Sequence, residues 1–334
     1  MKIDLQKKQA IISYLLEKID SGDISPVQSV LNAFDINKTT VYDYIKKLMS
    51  DGIITKHGRA RYELVTKKAQ YEFKRSSGDL DSDTYIFHAC FEKYIKDLPD
   101  NVFHLWLYAF SEMTNNVMDH SEAENVTVAV EQNYLNTTVF ISDNGIGIFN
   151  KIKEHFNYNS LDDAICELFK GKLTTDSKNH SGEGIFFSSK MMDEFYIFSS
   201  GKVFTTNKYQ NSFIEDNEYF DSGTCVVMQL SNHTKKQAIE IFDTYADVDG
   251  GFSKTRITLK NVFETSPVSR SQAKRVCNRL ESFEEVILDF EGIDWIGQGF
   301  AHQLFSVFAK EHPDIKFTVI NANDSVIKMY KHVI

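Results

Sequence analysis

Glu112, Asn116 and His120 recur at four-residue spacing inside NVFHLWLYAFSEMTNNVMDHS (101–121). On a helix, residues four apart stack on adjacent turns of one face. A carboxylate and an amide oxygen aligned in this way can hold a divalent cation and poise a water. Further on, Asp143-Asn144-Gly145-Ile146-Gly147-Ile148 closes a strand-like run. Gly145 and Gly147 let the backbone pass close to a flat ligand, and the Asp143 carboxylate can accept a hydrogen bond from an amine. In GKLTTDSKNHSGEGIFFSSKMM (171–192), Gly182-Glu183-Gly184 opens an apolar helical run. Free backbone N–H groups at such a helix entry suit phosphates. Gly223-Thr224 then leads into the apolar strand CVVMQL.

These groups need a scaffold. The spacing predicts a helix over 101–121 with Phe103, Leu107, Phe110 and Val117 on its apolar face and Glu112 and Asn116 on another. NVTVAVEQ and TTVFISD read as two strands, the second delivering Asp143. Alone, each element is ordinary: a surface carboxylate, a β-turn, a helix entry, a strand start.

In order, Glu112/Asn116, DNGIGI, GEG and GT before a strand resemble the GHKL family of ATP-binding domains, over roughly residues 84–232. The family includes gyrase, chaperone, histidine-kinase and mismatch-repair ATPases. The resemblance implies an α/β sandwich with ATP under a mobile lid running from about Phe149 to Ser181. It implies that Asp143 binds the adenine amino group, with Gly145 and Gly147 making room and Thr224 reaching adenine through water. Asn116 would ligate Mg2+, the amides of Gly182 and Gly184 would face the phosphates, and Glu112 would act as general base. Lys172, Lys178 and His180 are the candidates for the γ-phosphate. No phosphoacceptor-histidine helix precedes this domain, which speaks against histidine autokinase activity.

The amino-terminal segment reads differently. Ile11, Ile12, Leu15, Leu16 and Ile19 share one helical face. Ser25-Pro26 opens a second short helix, and a third starts near Thr39 and stops at Asp51-Gly52. GIITK and ARYELV follow as short strands. Three helices and a hairpin form the pattern of a winged helix-turn-helix, whose third helix enters the major groove of double-stranded DNA. Thr39, Thr40, Tyr42, Lys46 and Lys47 are the candidate contacts from that helix, and Lys56, Arg59 and Arg61 those from the wing.

At the other end, strands and helices alternate from TRITLKNVF (255–263) to DSVIKMYKHVI (324–334), the pattern of a small α/β domain with a mixed sheet. LDFEGIDWIGQGFAHQLF is similar to STAS-like domains, whose signalling members carry a phosphoacceptor serine at the turn before a helix. That turn here is Ile296-Gly297-Gln298-Gly299-Phe300, without a hydroxyl. The expected role of this domain is contact with a protein partner or with a second copy, as in a homodimer. The lid motif GKLTT…HSGEGIFF also resembles a bacterial subgroup in which the ATP-binding domain adjoins both other modules.

The fold class expected is therefore multidomain α/β and α+β. A winged helix-turn-helix spans 1–73, a GHKL α/β sandwich 84–232 and a STAS-like domain 250–334, with KRSSGDLDSD (74–83) as a linker. A chain with 42% hydrophobic and 25% charged residues is neither disordered nor collagenous. Cys90, Cys166, Cys225 and Cys277 are too far apart for a CxxC site, and a reducing cytoplasm suits them. No apolar run reaches membrane-spanning length, and the first residues lack a signal-peptide cleavage pattern. The net charge of −10 argues against a nucleic-acid partner until it is divided: residues 1–75 carry +5 and the remainder −15. The function expected is an ATP-dependent, ATP-hydrolysing DNA-binding regulator. The alternative is an anti-sigma-type serine/threonine kinase acting on a separate protein.

Overall fold

The computed structural model describes residues 4–58, 61–173, 182–206, 222–246, 251–263 and 265–334. Helix α1 (Leu5–Asp20) starts where the Asp4 carboxylate accepts from Lys7 N–H, and buries Ile11, Leu15, Leu16 and Ile19. α2 (Pro26–Ala33) begins on its proline, and α3 (Lys38–Ser50) is capped by the Asn37 side chain, which accepts from Thr40 N–H. Strands β1 (Ile54–His57) and β2 (Arg61–Leu64) form an antiparallel hairpin against them. One residue from outside joins this small core: Leu135, nine-tenths buried, from the centre of the chain.

The boundary expected at residue 73 falls inside a strand. β3 (Lys67–Lys74) pairs along its whole length, antiparallel, with β4 (Asn125–Gln132). In KKAQYEFK the alternating Tyr71 and Phe73 turn toward the central core, so burial recruits the segment to the neighbouring sheet. The residues expected as linker are tied down as well. Arg75 donates to the carbonyls of Ala123 (2.8 Å) and Met118 (3.0 Å), and α4 (83–95) follows.

The central sheet has the order β3-β4-β5-β8-β6-β7, with β5 (Asn136–Asp143), β6 (Glu194–Ser199), β7 (Lys202–Thr205) and β8 (Thr224–Ser231), every pair antiparallel. Helices α4, α5 (Asp100–His120), α6 (Ile148–His155), α7 (Leu161–Lys170), α8 (Gly184–Met191) and α9 (Ala238–Tyr245) contribute to its core. The lid expected from Phe149 is therefore not a loose strap at its start. Phe149 and Ile152 of α6, and Ala164 and Leu168 of α7, are core residues.

The carboxy-terminal sheet is three-stranded, in the order β11-β10-β9, with β9 (Lys254–Thr258), β10 (Glu285–Asp289) and β11 (Lys316–Ile320). It is parallel, not mixed as expected. Each strand returns through a helix, α10 (Arg270–Cys277) and then the helical run α11 (298–311), and such crossovers enforce parallel pairing. The last helix is α12 (Asp324–Val333). TRITLKNVF was expected as one strand, but it bends into a helical turn at Leu259. Among the described residues no helix is long and apolar enough to cross a membrane.

Candidate functional site

α5 sets one wall of the site. Its buried stripe is Val102, Leu105, Trp106, Ala109, Phe110, Met113 and Val117. Two residues expected on that stripe are displaced: Leu107 is exposed and Phe103 only half-buried. The stripe follows the 3.6-residue period through Trp106 and Met113, which leaves Glu112, Asn116 and His120 together at the edge of the core.

The facing wall comes from strand register. Asp143, at the end of β5, lies directly across from Thr224, the first residue of β8, which in turn faces Ser199 of β6. The Asp143 carboxylate accepts from Gly145 N–H at 2.8 Å, while the Thr224 hydroxyl accepts from Ile148 N–H at 3.0 Å and pins the start of α6. Burial pushes the Asp143 carboxyl above its ordinary pKa, against the pull of the Gly145 and Thr224 amides. Gly147 has φ +82°, and a Cβ there would lie 2.7 Å from the Ser199 hydroxyl, so only glycine fits without displacement.

The third side is the entry to α8. The Gly182 carbonyl accepts from Leu173 N–H at 2.9 Å. A Cβ on Gly184 would lie 2.0 Å from Glu112 Oε2, so the Glu112 carboxylate sits against the first turn of α8. A helix N-terminus favours an anion there. Glu112, Asn116, Asp143, Gly147, Gly182, Gly184 and Thr224 line one cavity, together with the apolar Ile148, Ile152, Leu168 and Ile197. Residues far apart in sequence thus surround one space, bordered both by the Asp143–Thr224 pair and by the N-terminus of α8.

Residues 105–234, which supply nearly all of these groups, match the family model of histidine kinase-, DNA gyrase B- and HSP90-like ATPases. The chain carries a GHKL-type ATPase domain. Residues 272–326 match the model of a STAS-like domain of unknown function. No curated protein matches the chain.

The ATPase domain's cavity suits what its class implies. A half-buried carboxylate beside Thr224 can take a base amine, and the amides opening α8 can take phosphates. Among the described residues no cluster of three or more His, Cys, Asp or Glu could hold a metal. Asn116, which lines the cavity, could take a magnesium ion on its side-chain oxygen together with oxygens of a nucleotide.

Gly145 lies just behind the cavity wall. Lys172 is not part of the wall. Its ammonium donates to the Ser282 carbonyl at 2.8 Å and lies over the Phe252 and Phe283 rings, although its neighbours Gly171 and Leu173 do line the cavity. A positive φ of 53° at Lys172 turns the side chain toward the STAS-like domain. Lys178, His180 and Arg59 lie outside the described residues. The sequence reading missed Lys151, which lines the cavity and donates to the His120 carbonyl at 2.6 Å. That contact spans 31 residues and has no local signature.

From the cavity the wall continues into the STAS-like domain through α7. The Lys170 ammonium is buried and donates to Glu167 (2.7 Å) and to the Arg275 (3.0 Å) and Asn278 (2.6 Å) carbonyls at the end of α10. Asp163 pairs with Arg275 at 2.6 Å, and Arg279 donates to the Lys172 carbonyl.

In the amino-terminal unit, Thr39, Tyr42, Lys46 and Lys47 of α3 and Lys56 and Arg61 of the hairpin are exposed. The Thr40 hydroxyl donates to Asn37 Oδ1 at the cap of α3 (2.9 Å), and Arg61 is paired with Glu63 (3.0 Å).

Proposed function

We propose that this protein is an ATP-binding and ATP-hydrolysing regulator that reads double-stranded DNA through its amino-terminal unit. In this reading Mg-ATP on the ATPase domain switches the arrangement of the flanking domains. The observation that carries it is the convergence of Glu112, Asn116, Asp143, Thr224 and the Gly182–Gly184 turn on one cavity whose wall runs into the STAS-like domain through α7.

Asp143 accepts from the adenine amine, with Thr224 beside it, and the Gly182 and Gly184 amides receive the phosphates. Asn116 would hold magnesium, which would supply positive charge to offset that of the phosphate oxygens. Glu112 orients a water and takes its proton as the oxygen attacks the γ-phosphorus and ADP leaves. A ligand shifts a conformational equilibrium only through differential affinity for the two states. Contacts of Lys170 and Lys172 with the STAS-like domain are where that difference would arise. The amino-terminal unit is the winged helix-turn-helix of this proposal, with α3 as the reading helix and the β1–β2 hairpin as the wing. Residues 1–66, which form the three helices and the hairpin, carry a net +2 against −12 on the remainder, and that difference in sign supports a polyanionic partner.

The test is ATP turnover with and without DNA, for the wild type and Glu112→Ala together. The variant is expected to retain ATP but lose hydrolysis; turnover at the wild-type rate would remove Glu112 from its role. Absence of any DNA effect on turnover, together with no DNA binding, removes the regulator reading. Labelled γ-phosphate recovered on a separate protein, in place of free phosphate, would instead establish the kinase.

A further inference from the structure

Of the side chains lining the ATPase cavity, Glu112 and Asp143 are acidic, and among the described residues Lys151 is the only lysine or arginine in the wall. A cavity with two carboxylates repels a polyanion unless cations and amide dipoles offset them. Lys151 is well placed to do so. It lies one turn into α6, whose first residue is anchored to the Thr224 hydroxyl, so its Cα is fixed relative to the Asp143–Thr224 pair. Its ammonium donates at 2.6 Å to the carbonyl of His120, the last residue of α5. That contact is with a neutral acceptor at the negative end of a helix and uses one of three N–H groups. Among the described residues Lys151 forms no ion pair, the partner a lysine beside an acidic wall would otherwise find.

We infer that Lys151 binds the phosphate chain of the nucleotide and gives this cavity its preference for nucleotides over nucleosides. The inference rests on the nucleotide reading above and adds a residue that neither the resemblance nor the family match assigns. The ammonium swings from the His120 carbonyl to a phosphate oxygen. It thereby exchanges a neutral hydrogen bond for a charge-assisted one, while the base end of the site is untouched.

The experiment compares binding of adenosine, ADP and ATP to the full chain as wild type, Lys151→Met and Lys151→Arg. Loss of one charge-assisted contact weakens ADP and ATP by about ten- to a hundredfold in the methionine variant. Adenosine affinity is expected to stay at the wild-type value, and the arginine variant to recover most of the loss. The salt dependence of ADP affinity should be shallower in Lys151→Met than in the wild type. That readout stands even where adenosine is too weak to measure. Unchanged ADP affinity with an unchanged salt slope, or an equal loss for adenosine and ADP, overturns the inference. A wild-type chain that binds no adenine nucleotide removes the nucleotide reading itself, which is a different result from a variant that behaves like the wild type.

Discussion

Replacing Lys170 with methionine keeps the apolar stem of the side chain and removes the ammonium from a site where both it and Glu167 are essentially unexposed. Burial already pushes the Glu167 carboxyl above its ordinary pKa, with Lys170 the main group holding it down. Without the ammonium, the cheaper course is to protonate Glu167 rather than bury its charge. From an unfolded value of ~4.3, protonation costs about 3.7 kcal/mol at pH 7 and about 1.6 kcal/mol at pH 5.5. The variant's loss is smaller than this by what the raised carboxyl already costs the wild type. A group whose folded pKa is raised loses stability as pH rises, so the destabilisation must grow with pH by about 1.4 kcal/mol per unit. A smaller, pH-independent loss of about 1 kcal/mol or more comes from the Arg275 and Asn278 carbonyls, which lose their donor. Urea unfolding at pH 5.5 and pH 7 measures this, followed by the chain's two tryptophans, Trp106 in the ATPase core and Trp295 in the STAS-like domain. Adding Glu167→Gln should abolish the pH-dependent part. A loss below about 1 kcal/mol at pH 7, or the same loss at both pH values, would refute the reasoning.

Asp143→Asn removes a half-buried carboxylate whose raised pKa makes its ionised form a cost at neutral pH. The ligand-free variant should therefore melt above the wild type at pH 7, with the gap closing on acidification, while ATP affinity falls at least tenfold (about 1.4 kcal/mol). Scanning calorimetry and titration read the two effects separately. Gly184→Ala places a methyl in the Glu112 carboxylate and should depress turnover; a rate equal to wild type would show that the close approach is not maintained. Leu135→Ala should loosen the amino-terminal unit by about 2–4 kcal/mol, seen as faster amide exchange in α1 and α3 with β4 and β5 unaffected.

The sequence was most informative where chemistry and secondary structure shared a period. Glu112 and Asn116 sit on a long helix, and Asp143 and Thr224 end clean strands, so their convergence could be expected from order alone. What escaped was set by long-range geometry. KKAQYEFK alternates like any exposed strand, and only its pairing with β4 makes it part of the ATPase sheet. Leu107 fits an apolar stripe on paper, but Trp106 takes the core position beside it. Lys172 leaves the cavity because one backbone torsion turns it outward, while Lys151, which no local pattern singles out, lines the cavity with its ammonium on the His120 carbonyl.

Only Val65 and Thr66 separate the β1–β2 hairpin from β3, and Val65 N–H is itself bonded to the Ile53 carbonyl. A tether this short leaves almost no rotational freedom between the two units. Leu135, held by Asn133 and Asn232, supplies a second point of attachment. Two attachments define an axis, so the proposed reading helix would move with the sheet, like the hand of a clock fixed to its spindle. Its search for DNA would then be a search by the whole molecule. A few glycines inserted after Val65 would give that hand its own bearing and disconnect it from whatever the cavity holds.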